Sequence, residues 1–567
     1  MGPNDRSTLV SLFCDRVARS GSRQAGSFPA GAGYLEPTWT ELSEQVRRTA
    51  AGLVRLGVQP GDRVVLVSEN RLEWIVADLG TLMAGGVNVP IQAALAGPQI
   101  AEQIRDCGAR LVMLSGPGQA AKLLAVRAEL PRGLEFVTFD PCAGLHALGG
   151  ARTLADLQAG VGANEREQVQ ARRLAEGTAR DLATILYTSG TTGEPKGVML
   201  THGNLVSNTL ASMETLFISE DDVRLSWLPL SHIFARTVDY YLWVASGSRL
   251  CLARGLDTLM EDLRRVRPTL FSTVPYFLDK VMRALTAAGQ ADDPAAVREA
   301  FGGRLRVIVS GGAPLPDHLA EFFLSRGVPA YQGYGLTESS PVISTNTLSA
   351  NKIGTVDRPI PGVEVRIAED GEILTRGPHV MVGYWNKPEA TAAAIRDGWL
   401  YTGDIGELDA DGYLRITGRK KEIIVTAAGK KIAPVRIEAL LTEDPCIEQA
   451  VVYAEGRNYA VGLIVPNYKL LGEEARRQGL PPLPVEELVR EPGLVAFMQE
   501  RVTAALGGVS KFEQVKRIAL LPAPFSVEAG ELTATLKLRR ARIYERYQDT
   551  LAALYQEPAV SPVSAVA

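Results

Sequence analysis

The sequence predicts an α/β protein: a large N-terminal multi-lobed domain, layered α/β with a β-rich subdomain, followed by a small α+β C-terminal domain. Three observations carry this. Short apolar runs alternate with segments of helical apolar spacing up to about residue 350. Two Asp-Gly turns then punctuate runs of strand type. The texture changes again near Lys420.

The apolar runs at 63–67, 111–114, 183–187, 250–253, 270–273 and 305–309 are short, several are rich in β-branched residues, and they close on small or polar residues. Runs of that kind read as strands buried on both faces of a parallel sheet. Residues 40–56 and 73–84 place apolar side chains at helical spacing between them. Strands alternating with helices make a layered α/β core. Further on, 361–367 and 372–375 flank Asp370-Gly371, and Asp411-Gly412 precedes 413–416. Both are hairpin signals. In the last third, 447–454 and 459–465 read as strands around a Gly-Arg-Asn turn, with helices expected at 468–478 and 485–506. The expected division is 1–419, 420–555, and a disordered Pro/Ser/Ala tail at 556–567.

A chain of 567 residues exceeds one ordinary core. The formal net charge of −4 argues against a dedicated nucleic-acid binder. Five cysteines lie far apart without a C-x-x-C pair, so zinc or a disulfide framework is not expected and a reducing, cytoplasmic setting is. Pro3 and Arg6 spoil a myristoylation pattern at Gly2. No apolar run approaches the ~20 residues of a membrane span, so any membrane contact is expected to be peripheral, at the inner face.

The segment from Tyr187 to Gly197 reads YTSGTTGEPKG, directly after an apolar run. Glycines let a backbone turn tightly and bring its N–H groups to a ligand. Hydroxyls, N–H groups and one ammonium converging on a point suit polyphosphate oxygens. A Walker A loop is excluded: Pro195 stands before Lys196 where glycine is needed, and Gly197 follows where a Ser or Thr should be. Three further motifs follow in order: GGAPL at 311–315, YQGYGLTE at 331–338, and YTGD at 401–404 with GRKKE at 418–422. Near the end stands GELTATLKLRR, 530–540.

The loop and these motifs closely resemble those of the adenylate-forming superfamily, which includes acyl-CoA synthetases, luciferases and the adenylation domains of peptide synthetases. The resemblance spans roughly residues 35–545. It implies that Thr188, Ser189, Gly190, Thr191, Thr192, Gly193 and Lys196 grip the β- and γ-phosphates of ATP. Gly312, Ala313 and Pro314 would line the adenine pocket, with Gly333, Tyr334 and Gly335 beside them and Tyr334 stacking on the base. Thr337 would touch the α-phosphate, and Glu338, with Thr188, would hold Mg²⁺. Magnesium takes few carboxylates when phosphate supplies the rest, so one acidic residue suffices. Asp404 would accept from the ribose hydroxyls, with Arg419 near ribose or phosphate, Lys421 as the hinge of a mobile C-terminal domain, and Gly429 leaving room for a pantetheine arm.

The form L-T-A-T-L-K-L-R-R resembles the variant of long-chain fatty acyl-CoA synthetases, with Lys537 as the mobile catalytic lysine. Its ammonium would bridge carboxylate and α-phosphate as charge builds in the transition state. His232, in WLPLSHIF, matches a family position beside the acyl carboxylate, where orientation and gating are expected rather than general-base work. Segments 267–277 and 278–285 correspond to the acyl-tunnel region. The implied activity is an AMP-forming long-chain fatty acid–CoA ligase using fatty acid, ATP, Mg²⁺ and coenzyme A, with a homodimer allowed. Two alternatives stay open: a ligase for medium-chain or aromatic acids, and a fatty acyl-AMP ligase that loads a carrier protein.

Overall fold

Alternation of buried strands and helices folds most of the chain around two eight-stranded sheets. The computed structural model describes residues 5–142, 144, 151–189, 195–348, 350–527, 529–533 and 537–556. These form two units, Met1–Thr402 with Leu408–Arg415, and Gly403–Glu407 with Ile416–Ala567. The stretches carrying Asp404 and Arg419, expected at the end of the large domain, therefore group with the smaller unit.

In one sheet of the first unit the strands Val87–Ile91, Arg63–Val67, Leu111–Leu114, Glu135–Thr138 and Ala151–Thr153 lie side by side. They run parallel, with Val65 opposite both Val89 and Val112. An antiparallel hairpin, Leu182–Ser189 and Pro195–Thr201, and the short strand Gly383–Tyr384 close its other side. The second sheet has the parallel strands Arg249–Leu252, Val223–Ser226, Leu270–Thr273, Val307–Ser310 and Ala330–Gly335, capped by antiparallel Val342–Thr345. Val65, Val67, Val112 and Leu114 are buried, as strands covered on both faces require.

Both predicted Asp-Gly turns form, with Gly371 at φ +85 and Gly412 at φ +81. The first joins Glu364–Ile367 to Glu372–Arg376 in antiparallel register. The second unit carries an antiparallel pair, Ile447–Tyr453 and Ala460–Pro466, with Val515–Leu520 added in parallel. The single helix expected over 485–506 is instead two, Val485–Leu488 and Pro492–Ala505. Pro492 has no N–H to donate backwards and its ring clashes with the preceding turn, so it starts a helix rather than continuing one. Gln556, expected in the tail, ends the helix Gln548–Gln556, and 557–567 lie outside the described residues. No helix among the described residues is long and apolar enough to cross a membrane.

One polar cluster sits inside the apolar core of the first unit. Asp78, on the helix Leu72–Met83, pairs with Arg236 on the π-helical turn Arg236–Tyr241, and both side chains are fully buried. Tyr240 and Tyr241 donate to the other Asp78 oxygen at 2.9 and 3.2 Å. Asn88 donates to Asp78 at 2.7 Å. Arg236 also donates to Thr184 Oγ1 at 2.8 Å, and that hydroxyl donates to the Asn88 carbonyl at 2.7 Å. Burial and the Asp78 charge hold both phenols well above the usual tyrosine range, so they remain donors.

Removing one member of a buried ion pair strands the other charge, at about 3–5 kcal/mol. Asp78→Ala is expected to lower stability by that amount in urea denaturation. The double replacement Asp78→Leu/Arg236→Met should recover some of the loss; a double variant as unstable as Asp78→Ala would show that the site depends on shape rather than charge.

Candidate active site

The hairpin Leu182–Ser189/Pro195–Thr201 carries the predicted phosphate loop at its tip. Residues 190–194 lie outside the described residues, as does the Ser189 side chain, so Gly190, Thr191, Thr192 and Gly193 are not placed. The two flanks are placed. Thr188 pairs with Lys196 across the hairpin, and Val198 pairs with Tyr384 on the neighbouring strand. Residues opposite each other, and residues two apart, share a sheet face. Thr188, Lys196 and Tyr384 therefore project from one face. The Lys196 ammonium lies 5.1 Å from the centre of the Tyr384 ring.

Gly197 faces the other way into a tight space. A Cβ there would come within 2.7 Å of Ile185 Cγ2 and 3.3 Å of Trp385 Cβ. Tyr187 donates to Asp106 at 2.5 Å, and Trp385 Nε1 donates to the Asp106 carbonyl at 3.0 Å. Asp106 thus anchors both the strand entering the loop and the segment flanking it.

Thr337 and Glu338 begin a short 3₁₀ turn, Thr337–Ser339, after the strand Ala330–Gly335. The turn is pinned from four sides. Asn208 donates to the Val342 carbonyl at 2.7 Å and accepts from its N–H at 3.2 Å. Thr237 donates to the Ser340 carbonyl at 3.1 Å, and Ser340 Oγ donates to the His379 carbonyl at 2.8 Å. Ser339 Oγ accepts from the Leu336 N–H at 2.9 Å. The Glu338 carbonyl accepts from Met381 N–H at 2.9 Å, and its carboxylate Oε1 accepts from Tyr384 at 2.8 Å. Gly335 sits where a Cβ would lie 1.7 Å from the Pro341 carbonyl oxygen. At Gly333 the nearest atom would be 3.7 Å away. Tyr334 is buried at a break in register between the two strands.

The GGAPL loop leaves the parallel strand Val307–Ser310. Gly311 packs under Phe234, whose ring a Cβ would meet at 2.9 Å, and Gly312 takes φ +81. Ala313 and Pro314 are exposed. Gln332 holds the loop's far end by accepting from Leu315 N–H at 3.1 Å. These loops start from the C-terminal ends of adjacent parallel strands, where ligands bind in open α/β sheets.

His232 caps a short helix, its Nδ1 accepting from Phe234 N–H at 3.3 Å. A neutral imidazole that accepts at Nδ1 carries its proton on Nε2. The approach to His232 is set by Asn70, which donates to the Leu228 carbonyl at 2.7 Å and accepts from Leu230 N–H at 2.9 Å. Trp227 and Phe277 meet at 5.6 Å between ring centres. Phe277, Leu278, Val281 and Leu285, on the helix Pro275–Ala287, belong to the main apolar core. Burial pushes His202 to about 3 and His379 to about 4, which keeps both neutral.

In the second unit Asp404 and Arg419 form an ion pair at 3.3 Å, with Asp404 buried and Arg419 exposed. The Lys537 ammonium is held below the usual lysine range by desolvation, then by Arg419, against the opposite pull of Asp404 and Glu422. Asp404, Arg419 and Lys537 are thus brought into one electrostatic neighbourhood. Arg540 bonds Glu422 at 2.6 Å and pairs with Glu438. Lys421 is exposed, in the turn after Arg419 whose carbonyl accepts from Glu422 and Ile423. Gly429 stands at φ +72 in open space, in the turn where its N–H reaches the Thr426 carbonyl. Backbone conformation is sufficient reason for glycine there.

Tyr384, Asp106, Asn208 and Asn70 were not among the residues expected from the motifs. Each acts through contacts with residues distant in the chain, and nothing local in sequence marks it. Among the described residues no cluster of three His, Cys, Asp or Glu could hold a metal alone. Glu338, with one oxygen engaged by Tyr384, fits a magnesium that takes its remaining ligands from phosphate and water.

Comparison with known proteins places the chain in a family. Residues 13–385 match the family model of AMP-binding enzymes, and 421–559 match the AMP-binding enzyme C-terminal domain. The chain is 33% identical to the long-chain-fatty-acid–CoA ligase FadD15 of Mycobacterium bovis, over 92% of this chain and 93% of that protein. It is 28% identical to long-chain-fatty-acid–CoA ligase 5 of Rattus norvegicus, over 98% and 89%. Among solved structures it resembles ATP-bound MatB from Rhodopseudomonas palustris, with TM-score 0.74, 25% identity and coverage of 97% and 100%. The adenylation domain of a carboxylate reductase from Mycobacterium chelonae has TM-score 0.80 at 22% identity, over 97% and 91%, a likeness of fold.

Gly335→Ala must push neighbouring backbone segments apart to admit one methyl group. It is expected to cost about 1–3 kcal/mol, as overpacking does, and to weaken ATP binding in calorimetry. Gly333→Ala should leave the denaturation midpoint near that of the parent. Equal stability of both variants would refute the packing argument.

Proposed function

Because the chain belongs to the AMP-binding enzyme family, we propose that it works as an AMP-forming long-chain fatty acid–CoA ligase, and that the residues assembled above are its machinery. The observation that carries the reading is the single face shared by Thr188, Lys196 and Tyr384, with Glu338 bonded to the last. A hydroxyl, an ammonium and a carboxylate so arranged match the needs of a polyphosphate with its cation. The nearly full-length similarity to proteins named as long-chain fatty acid–CoA ligases supports the acid and thiol specificity.

In the first half-reaction the fatty carboxylate attacks the α-phosphorus of ATP and pyrophosphate leaves. Lys196 neutralises the departing phosphates, and Thr337 donates to the α-phosphate. Magnesium, when bound at Glu338 and on the side of Thr188, would neutralise phosphate charge. Lys537 stabilises the charge that grows between carboxylate and phosphorus, where a preorganised cation contributes most. Its lowered proton affinity, set by desolvation and by Arg419, is compatible with an ammonium that seeks anionic partners. His232 has its ring orientation fixed by the Phe234 N–H at Nδ1. That suits orientation of an acyl oxygen better than removal of a proton.

In the second half-reaction the CoA thiolate attacks the acyl carbonyl and AMP leaves. A thiol of pKa near ~8.5 supplies enough thiolate for this at neutral pH. Asp404 and Arg419 hold the ribose side of the nucleotide, Gly312, Ala313, Pro314 and Tyr334 the adenine side. Lys421 serves as the hinge between half-reactions, and Gly429 lies on the thiol side.

Fatty acid-dependent ATP–pyrophosphate exchange followed by acyl-CoA analysis tests the reading across chain lengths. Long-chain thioesters are expected to dominate. Acyl adenylate without acyl-CoA would favour a carrier-loading ligase, and exchange with no acid would overturn the assignment. Lys537→Ala is expected to slow adenylation at least about a hundredfold, the scale of losing one transition-state donor. It should spare thioester formation from supplied acyl adenylate; equal losses in both halves would remove Lys537 from its role.

A further inference from the structure

Between the phosphate hairpin and the Glu338 turn runs a strap, residues 381–385, that none of the motif positions includes. Three backbone bonds fix it. Met381 N–H donates to the Glu338 carbonyl at 2.9 Å, Val382 N–H to the Met199 carbonyl at 3.0 Å, and Trp385 N–H to the Gly197 carbonyl at 2.7 Å. One end is thus tied to the turn that carries the carboxylate, and the other to the strand that carries Lys196. Tyr384 lies between these ties, on the Lys196 face of the sheet. Its own N–H donates to Thr391 Oγ1 at 2.8 Å, which fixes the strap from behind. The side chain touches both functional groups at once. Its hydroxyl donates to Glu338 Oε1 at 2.8 Å, and its ring lies 5.1 Å below the Lys196 ammonium.

We propose that Tyr384 is a positioning residue of the nucleotide site. Its hydroxyl orients the Glu338 carboxylate toward the cation, and its ring seats the Lys196 ammonium ahead of the incoming phosphates. The inference rests on the reading of Glu338 as the magnesium carboxylate. The two contacts are separable by chemistry. A phenol hydrogen bond to one carboxylate oxygen leaves the second oxygen aimed and available, and it acts only through the metal. A cation resting on a ring face acts on phosphate binding whether or not metal is present.

The test uses the full-length enzyme. Nucleotide affinity is measured by calorimetry for ATP in EDTA and by manganese electron paramagnetic resonance for Mn²⁺·ATP, alongside exchange activity and thermal melting. Tyr384→Phe keeps the ring and removes the hydroxyl. It is expected to weaken Mn²⁺·ATP about tenfold, the worth of a hydrogen bond to a charged group, and to leave metal-free ATP binding and the melting temperature unchanged. Tyr384→Leu removes the ring as well and should also weaken metal-free ATP about threefold. Glu338→Gln reports on the underlying reading. If Glu338→Gln weakens Mn²⁺·ATP and Tyr384→Phe does not, Tyr384 has no positioning role and the magnesium assignment stands. If Glu338→Gln binds Mn²⁺·ATP like the parent, that assignment falls and the inference with it. If Tyr384→Phe weakens ATP equally with and without metal, the hydroxyl does not act through Glu338 and the proposal is overturned.

Discussion

The buried contact between Asp78 and Arg236 is the constraint on which the geometry of the first unit depends. An ion pair in an apolar core survives only when neighbouring polar groups are aimed at it, because the interior cannot solvate a misplaced charge. Here that requirement recruits a helix, a parallel strand, the strand that leads to the phosphate loop and a π-helical turn. Thr184, which Arg236 touches, lies four residues before Thr188. Arg236 itself lies four residues after His232. The same few bonds therefore set the distance between the phosphate hairpin and the histidine. π-helical turns are frequent at functional sites, and this one places three polar side chains on a single carboxylate.

The loops around the nucleotide are held by a different device. Their backbones are tied by single side chains that mimic a neighbouring strand. Asn208 gives and takes one bond with Val342, and Asn70 does the same for the turn before His232. An amide side chain carries one donor and one acceptor group in the pattern of a peptide, so it can complete a backbone that has no strand beside it. Where even that is too bulky, glycine lets one backbone lie against another, as at Gly335 against Pro341. Such loops are irregular yet fixed, which is what orientation of reactive groups demands.

The second unit handles charge in a third way. Lys537, Arg419, Asp404 and Glu422 share one electrostatic neighbourhood, with Arg419 paired to Asp404. Desolvation first, and then the neighbouring Arg419 cation, keep the lysine below its ordinary proton affinity against the pull of Asp404 and Glu422. Arg540, bonded to Glu422 and paired with Glu438, draws off some of that negative charge. A lysine whose charged form is disfavoured where it stands is suited to meeting an anion elsewhere during the reaction.

Much of the fold was legible because its signals are local. The runs 63–67, 111–114 and 270–273 form strands at those residues, since a buried parallel strand is written as a continuous apolar run. Asp-Gly marked both hairpins, since glycine takes the positive φ such turns need at no steric cost. The helix expected over 485–506 breaks because Pro492, a local breaker in plain view, outweighs the apolar spacing around it. By itself the sequence determined the α/β class and the order of the motifs, because both are written in residues a few positions apart. Only the tertiary structure decided that Tyr384 joins Glu338 to Lys196, that Asp106 anchors the hairpin, and that Asp78 meets Arg236 across 158 residues. Those contacts depend on how strands register and helices pack, and a side chain that reaches across the fold leaves no periodicity in the chain.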